Sequence, residues 1–329
     1  MPGPTARPTD NPKLAVALIL LAMFGITVND MTIKHLSGDY PLHQMVFVRS
    51  AIGIGFSVVF LQFEGGFASL RTRQGGLHLL RGLFIVGANM SFFAALASIP
   101  LADATALFFV APLFITLLSI PFLGEQVGVR RLGAVVVGFG GVLLMLRPGA
   151  GETADAPDRW TLLLPVLAAF LYAGMQILTR RLGVTSTASA MSIYNQATFI
   201  AVSFIFFLVA GDGRYAVGQD SPSMIFLLRE WVWPAPGDWP AFMLLGVLSA
   251  VVGYTLSQAY RLGDAAAIAP FEYTALPLAV FWGWAIFGNL PGMWVVSGMA
   301  LIAGSGVYVF IREKQRAKPV ASRRPTRRY

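Results

Sequence analysis

"PLADATALFFVAPLFITLLSIPFLGEQVGVRRLGAVVVGFGGVLLMLRPG", residues 100–149, carries charge only at Asp103, Glu125, Arg130, Arg131 and Arg147. Between those points run two apolar stretches, each close to the length that a helix needs to cross a bilayer, about 20 residues. The short polar break "GEQVGVRR" (124–131) fits a turn between two membrane helices. An amphipathic helix of a water-soluble core would show a polar stripe, and this stretch shows none.

Working outward, the same alternation repeats from end to end. Ten spans are expected, at roughly 14–36, 42–63, 77–98, 101–122, 128–147, 160–181, 190–210, 239–260, 265–287 and 291–312. The 329 residues are 56% hydrophobic and only 12% charged, with a mean hydropathy of +0.67. That charged fraction is about half of what soluble domains carry, so the fold class is an all-α integral membrane protein. The polar lead-in "MPGPTARPTDNPK" precedes an apolar run too long for a signal-peptide core, which reads as a retained first helix. Cysteine is absent, which removes disulfides, thiolate metal sites and cysteine nucleophiles.

The net charge of +8 is a matter of topology. With a cytoplasmic N-terminus and ten spans, the inside holds Arg7, Lys13, Arg71, Arg73, Arg81, Arg130, Arg131, Arg180, Arg181, Arg261 and eight more cations of the tail, eighteen of the 24. Lys34, Arg147, Arg159, Arg214 and Arg229 fall outside, and Arg49 lies within a span. The positive-inside rule then puts both termini in the cytoplasm, most simply of a bacterial inner membrane. The basic tail fits anionic headgroups at that face. No motif accompanies the charge, so nucleic acid is not an expected partner.

The chain also repeats itself. Shifted by 146, Phe24 falls on Phe170, Asp30 on Gln176, Lys34 on Arg180, Met45 on Met191 and Arg49 on Asn195. Shifted by 165, Gly133 falls on Gly298 and Gly141 on Gly306, while "LADATA" (101–106) is echoed by "LGDAAA" (262–267). Two five-helix units with an odd number of crossings must enter the membrane in opposite senses, an arrangement common in carriers. The expected units are residues 1–150 and 151–329, joined by the hydrophilic linker "RPGAGETADAPDR" (147–159). The stretch 211–238, with Trp231 and Trp233, is open to two readings: a short interfacial element or a structureless loop.

Residues 100–149 and "GDAAAIAPFEYTALPLAVFWGWAIFGN" (263–289) resemble the EamA-type members of the drug/metabolite transporter superfamily. The shared pattern is an Asp-Ala entry, a proline halfway and a Gly-Glu exit before a glycine-rich last helix. In the second copy Asn289 stands where that family usually places Glu. The resemblance implies a secondary transporter of small organic metabolites with a cavity between the two units. It points loosely to carriers of S-adenosylmethionine, riboflavin or amino acids.

Ionisable groups deep in a membrane are functional candidates by default. Asp30 lies about 9 Å inside the outer end of the first span and Arg49 about 12 Å inside that of the second. They could form a structural ion pair between those helices, or an anion-binding Arg held by Asp30. Glu272, in "APFEYTALP" (269–277), lies about 12 Å from the cytoplasmic face, where Pro270 disfavours regular helix. Its alternatives are a substrate or proton site and a hydrogen-bonded structural acid. Asn89, Phe108, Gln176, Tyr254, Gln258, Tyr273 and Trp282 lie at similar depth and complete the expected substrate site. Asp103 and Asp264 fit helix caps, and Glu125 fits an interfacial salt bridge with Arg130 or Arg131. "GFGG" (138–141) and "AGSG" (303–306) fit close helix packing.

The expected function is transport by alternating access of a small organic solute, amphoteric in the manner of an amino acid or S-adenosylmethionine. Riboflavin or another neutral or anionic metabolite is the alternative, and a non-transporting scaffold or receptor is the rival from another class. An enzyme is not expected: His35, His43 and His78 all lie near span ends, and no nucleotide-hydrolysis or metal motif appears. Cofactors and metals are expected to be none. Oligomeric state is not written in the residues.

Overall fold

A computed structural model describes residues 11–63, 65–124, 127–146, 159–182, 188–262 and 269–317. The helices are α1 (Pro12–Leu36), α2 (Leu42–Phe63), α3 (Gly75–Leu96), α4 (Leu101–Phe108), α5 (Ala111–Leu123), α6 (Val129–Leu146) and α7 (Arg159–Leu182). They continue as α8 (Ala188–Ala210), α9 (Pro222–Leu228), α10 (Trp239–Leu262), α11 (Ala275–Phe287) and α12 (Met293–Ala317). Among the described residues nine spans are long and apolar enough to cross a bilayer, α4 and α5 together making one of them. The remaining span is shorter: a 3-10 turn, Ala269–Thr274, leads into α11. The chain is an all-helical, multi-pass membrane protein, with large side chains such as Phe63, Val136 and Leu208 exposed on its outer surface.

The fourth and ninth spans are both broken halfway. Pro112 has no N–H for the carbonyl of Phe108, and Pro277 has none for that of Tyr273, so each helix loses a hydrogen bond at its midpoint. Gly124 and Gly288 end α5 and α11 in the left-handed conformation, at φ +69° and +68°. The two breaks thus recur at matching places in the two halves of the chain.

Helix pairing has the same internal symmetry. The third span packs on the sixth and the eighth on the first; the second packs on the seventh and the fifth on the tenth. Exchanging the first five spans with the last five maps this pattern onto itself, as inverted repeats require. α6 crosses α12 closely. A Cβ on Gly141 would lie 2.9 Å from the Gly298 carbonyl oxygen, and one on Gly298 would lie 2.8 Å from that of Gly141. The small-residue expectation for "GFGG" therefore holds at Gly141. The linker at 147–158, Glu125 and Asp264 lie outside the described residues.

The segment between α8 and α10 is folded. Within it α9 buries Phe226 against α3, and Ser223 Oγ donates to the Ala94 carbonyl at 2.7 Å. Gln44 makes two hydrogen bonds to the Val232 backbone, and Tyr40 donates to Asp238 Oδ2 at 2.6 Å. Trp231 packs against His43, Phe47 and Phe207, while Trp233 is exposed. This strap binds one end of the bundle, opposite the end that holds residues 11 and 317. Lys34, counted above with loop charges, instead caps the C-terminus of α3 by donating to the carbonyls of Leu96 and Ile99.

Candidate functional site

A cavity of about 950 Å³ lies between the first five and last five spans. Its volume is at the upper end of the usual range for small-molecule sites. α3 supplies one wall through Arg81, Ile85, Ala88, Asn89 and Phe92, a stripe at i, i+4, i+7, i+8 and i+11. α10 supplies another through Leu248, Ser249, Val252, Gly253 and Leu256, again one helical face. The broken fourth span contributes Thr105, Phe108, Phe109 and Pro112, and the 3-10 turn of the ninth contributes Glu272. Edge-to-face contacts run from Phe92 to Phe108 (5.3 Å) and on to Tyr172 (5.4 Å), making one side aromatic.

Six of the expected residues line this cavity together: Asp30, Arg49, Asn89, Phe108, Gln176 and Glu272. Arg49 is buried, with its guanidinium over the rings of Phe93 and Phe199 at 5.7 and 5.5 Å. Such a sandwich offsets part of the cost of removing a cation from water. Its Nη2 donates to Asn89 Oδ1 at 3.1 Å, and its buried Nε meets no acceptor. Asp30 accepts from Asn29 Nδ2 at 3.0 Å.

The expected ion pair between Asp30 and Arg49 does not form among the described residues. α10 packs against both α1 and α2 and holds the two helices apart, so the charges stand on separate walls. The short turn joining α1 to α2 suggested adjacency that the bundle does not have.

Four expected residues lie off the wall. Tyr254 faces outward, 39% exposed and stacked on Phe60 at 4.5 Å. Tyr254 lies two positions after Val252 and Gln258 two after Leu256, about 200° around the helix from each, so α10 turns both away. Tyr273 is buried beside Phe109 and against Gly306, and among the described residues its hydroxyl has no hydrogen-bond partner. Trp282 sits one layer back, with its indole N–H donating to Thr27 Oγ1 at 3.3 Å.

Arg81 is the main residue that sequence reasoning misplaced. It was counted with cytoplasmic loop charges, yet it is buried in α3 and lines the cavity. Its Nε donates to Thr179 Oγ1 at 2.7 Å and its Nη1 to Asn195 Oδ1 at 2.9 Å. The signal was present: Arg81 falls inside the span 77–98 and on the same stripe as Asn89. Asn195, noted only as the neutral counterpart of Arg49, joins the wall as well.

Residues 13–147 match the EamA-like transporter family. A riboflavin transporter of Rhizobium johnstonii is 29% identical over 94% of this chain and 93% of its own length. An S-adenosylmethionine uptake transporter of Rickettsia prowazekii is 25% identical over 91% and 93%. A pseudopaline exporter of Pseudomonas aeruginosa is 27% identical over 88% and 93%. A crystal structure at 19% identity superposes with a TM-score of 0.61 over 94% of this chain and all of its own, which supports the fold.

Proposed function

For a chain whose residues 13–147 match the EamA-like transporter family, we propose secondary transport of a small organic metabolite by alternating access. The observation that carries this reading is the cavity between paired spans, lined by Arg49 on one wall and Asp30 and Glu272 on others. Separated opposite charges beside an aromatic side suit an amphoteric solute that carries a ring, as S-adenosylmethionine does. The ring-rich side also suits a flavin, and the riboflavin transporters among the relatives favour that second reading. Both ligands are small enough for about 950 Å³. Relatives named both for uptake and for export leave the direction to experiment.

Two breaks at the cavity give this reading its moving parts. A broken span exposes backbone at mid-membrane only where it lines a site, and Phe108 and Glu272 stand at those breaks. The substrate residues proposed are Asp30, Arg49, Asn89, Phe108, Gln176 and Glu272. Residues 1–150 and 151–329 are proposed as the two repeats. Both termini are proposed to face the cytoplasm of an inner membrane, with the basic tail against anionic lipid.

The test is thermal stability of the purified chain with S-adenosylmethionine, riboflavin, amino acids or nucleosides. A ligand at 100 times its dissociation constant stabilises by about 2.7 kcal/mol. A shift with one class, followed by saturable counterflow of that compound in proteoliposomes, is the expected result. A cooperative melt that no compound moves would count against transport of these classes and towards the scaffold reading.

A further inference from the structure

We infer that Arg81, with Asn195, forms a second acceptor-binding station of the cavity, which holds a carboxylate or ring carbonyl of the substrate at the end nearer the chain termini. The inference rests on the transporter reading above and adds a residue and a specificity to it.

Among the described residues Arg81 is a buried cation whose hydrogen-bond partners are all neutral: the hydroxyl of Thr179, the amide oxygen of Asn195 and the Met191 carbonyl at 3.4 Å. Among the described residues it meets no carboxylate. Its Nε and Nη1 are engaged, and among the described residues Nη2 makes no hydrogen bond although the side chain lines the cavity. Tying α3 to α7 and α8 requires hydrogen bonds and no charge. A glutamine would serve, without the cost of holding a cation out of water. A guanidinium with a spare donor on a cavity wall is instead suited to an anionic or carbonyl acceptor, which it binds at fixed geometry.

A second guanidinium–amide pair on the same wall gives a further reason. Position 195 is the counterpart of position 49 under the shift of 146. At 49 a guanidinium on α2 meets an amide, Asn89, on α3; at 195 an amide on α8 meets a guanidinium, Arg81, on α3. The two pairs share α3 and are not images of each other, since the repeat carries the third span onto the eighth, but each sets a guanidinium against an amide on the cavity wall. Arg81 and Asn89 are eight residues apart on α3, about 12 Å along its axis. The cavity therefore has one guanidinium–amide pair towards the strap and another towards the termini, separated by roughly the length of a nucleoside- or flavin-sized ligand.

The experiment titrates S-adenosylmethionine and riboflavin into the purified full chain and into R81Q and R81K, measuring affinity by calorimetry and ligand-free melting temperature separately. The wild type is expected to bind one of the two. R81Q is then expected to bind it about tenfold or more weakly, with the ligand-free melt little changed, and R81K to recover part of the affinity. Loss with S-adenosylmethionine identifies the carboxylate, and loss with riboflavin the ring carbonyls. Unchanged affinity in R81Q overturns the station while leaving the transporter reading intact, as does a lower melting temperature with no affinity change. Should R81Q fail to fold, R81K carries the test: affinity equal to wild type overturns the station, and a clear loss supports it. A wild type that binds neither ligand removes the proposed substrate classes, and this inference with them.

Discussion

Glu272 stands in the 3-10 turn where the ninth span has lost its regular hydrogen bonding, on the cavity wall and not on the lipid face. A carboxylate in such a place is costly unless it holds a proton, a hydrogen bond or a cation. Glu272→Gln keeps the shape and removes the charge. It is expected to lower uptake by an order of magnitude or more and to flatten its dependence on pH, while the melting temperature stays close to wild type; uptake by proteoliposomes at several pH values checks this. Normal, pH-dependent uptake would make Glu272 structural. At this scale the sequence was partly legible. Depth in a span found Asp30, Arg49, Asn89, Gln176 and Glu272. Depth alone also chose Tyr254 and Gln258, because it ignores which way a helix faces. It passed over Arg81 because a charge near a span end looks like a loop charge.

Elements obey simpler rules, and the spans could be read closely: apolar length marks nine of the ten expected among the described residues, and the ninth span falls short because a 3-10 turn interrupts it. What length and hydropathy could not give is which helix touches which. Asp30 and Arg49 were expected to meet because a short turn joins α1 to α2, yet α10 packs against both. The α6–α12 crossing is the clearest element-level dependence. Gly298→Leu would drive a side chain against Met145 and the Gly141 carbonyl, and overpacking of this kind costs about 1–3 kcal/mol. The expected outcome is a lower melting temperature or poor yield in membranes; Gly140→Leu, where nothing lies within 4 Å of the added Cβ, is the matched control. The strap of residues 211–238 was legible only as two alternatives, since its hydrogen bonds to Tyr40 and Gln44 are nearly 200 residues apart in sequence.

For the molecule as a whole, charge distribution makes the firmest prediction. Tags placed before residue 11 and after residue 317 should both be accessible from the cytoplasmic face, and a tag near the exposed Val217 from the opposite face. A protease-protection assay on oriented vesicles reads all three, and termini on different faces would refute the even number of spans. The pairing of spans has a consequence for how the protein is made. α1, α2, α3 and α6 each find a main partner among α10, α8, α7 and α12, all from the later part of the chain. The early helices thus leave the ribosome and enter the bilayer before those partners exist. At about 5–20 residues per second, the remainder of the chain takes about 10–40 s to follow. During that interval the packing faces of α1 and α3, Arg81 among them, meet only lipid or the insertion machinery. Assembly must wait for the C-terminal half, so a truncated message should yield an inserted but unfinished bundle that quality-control proteases remove.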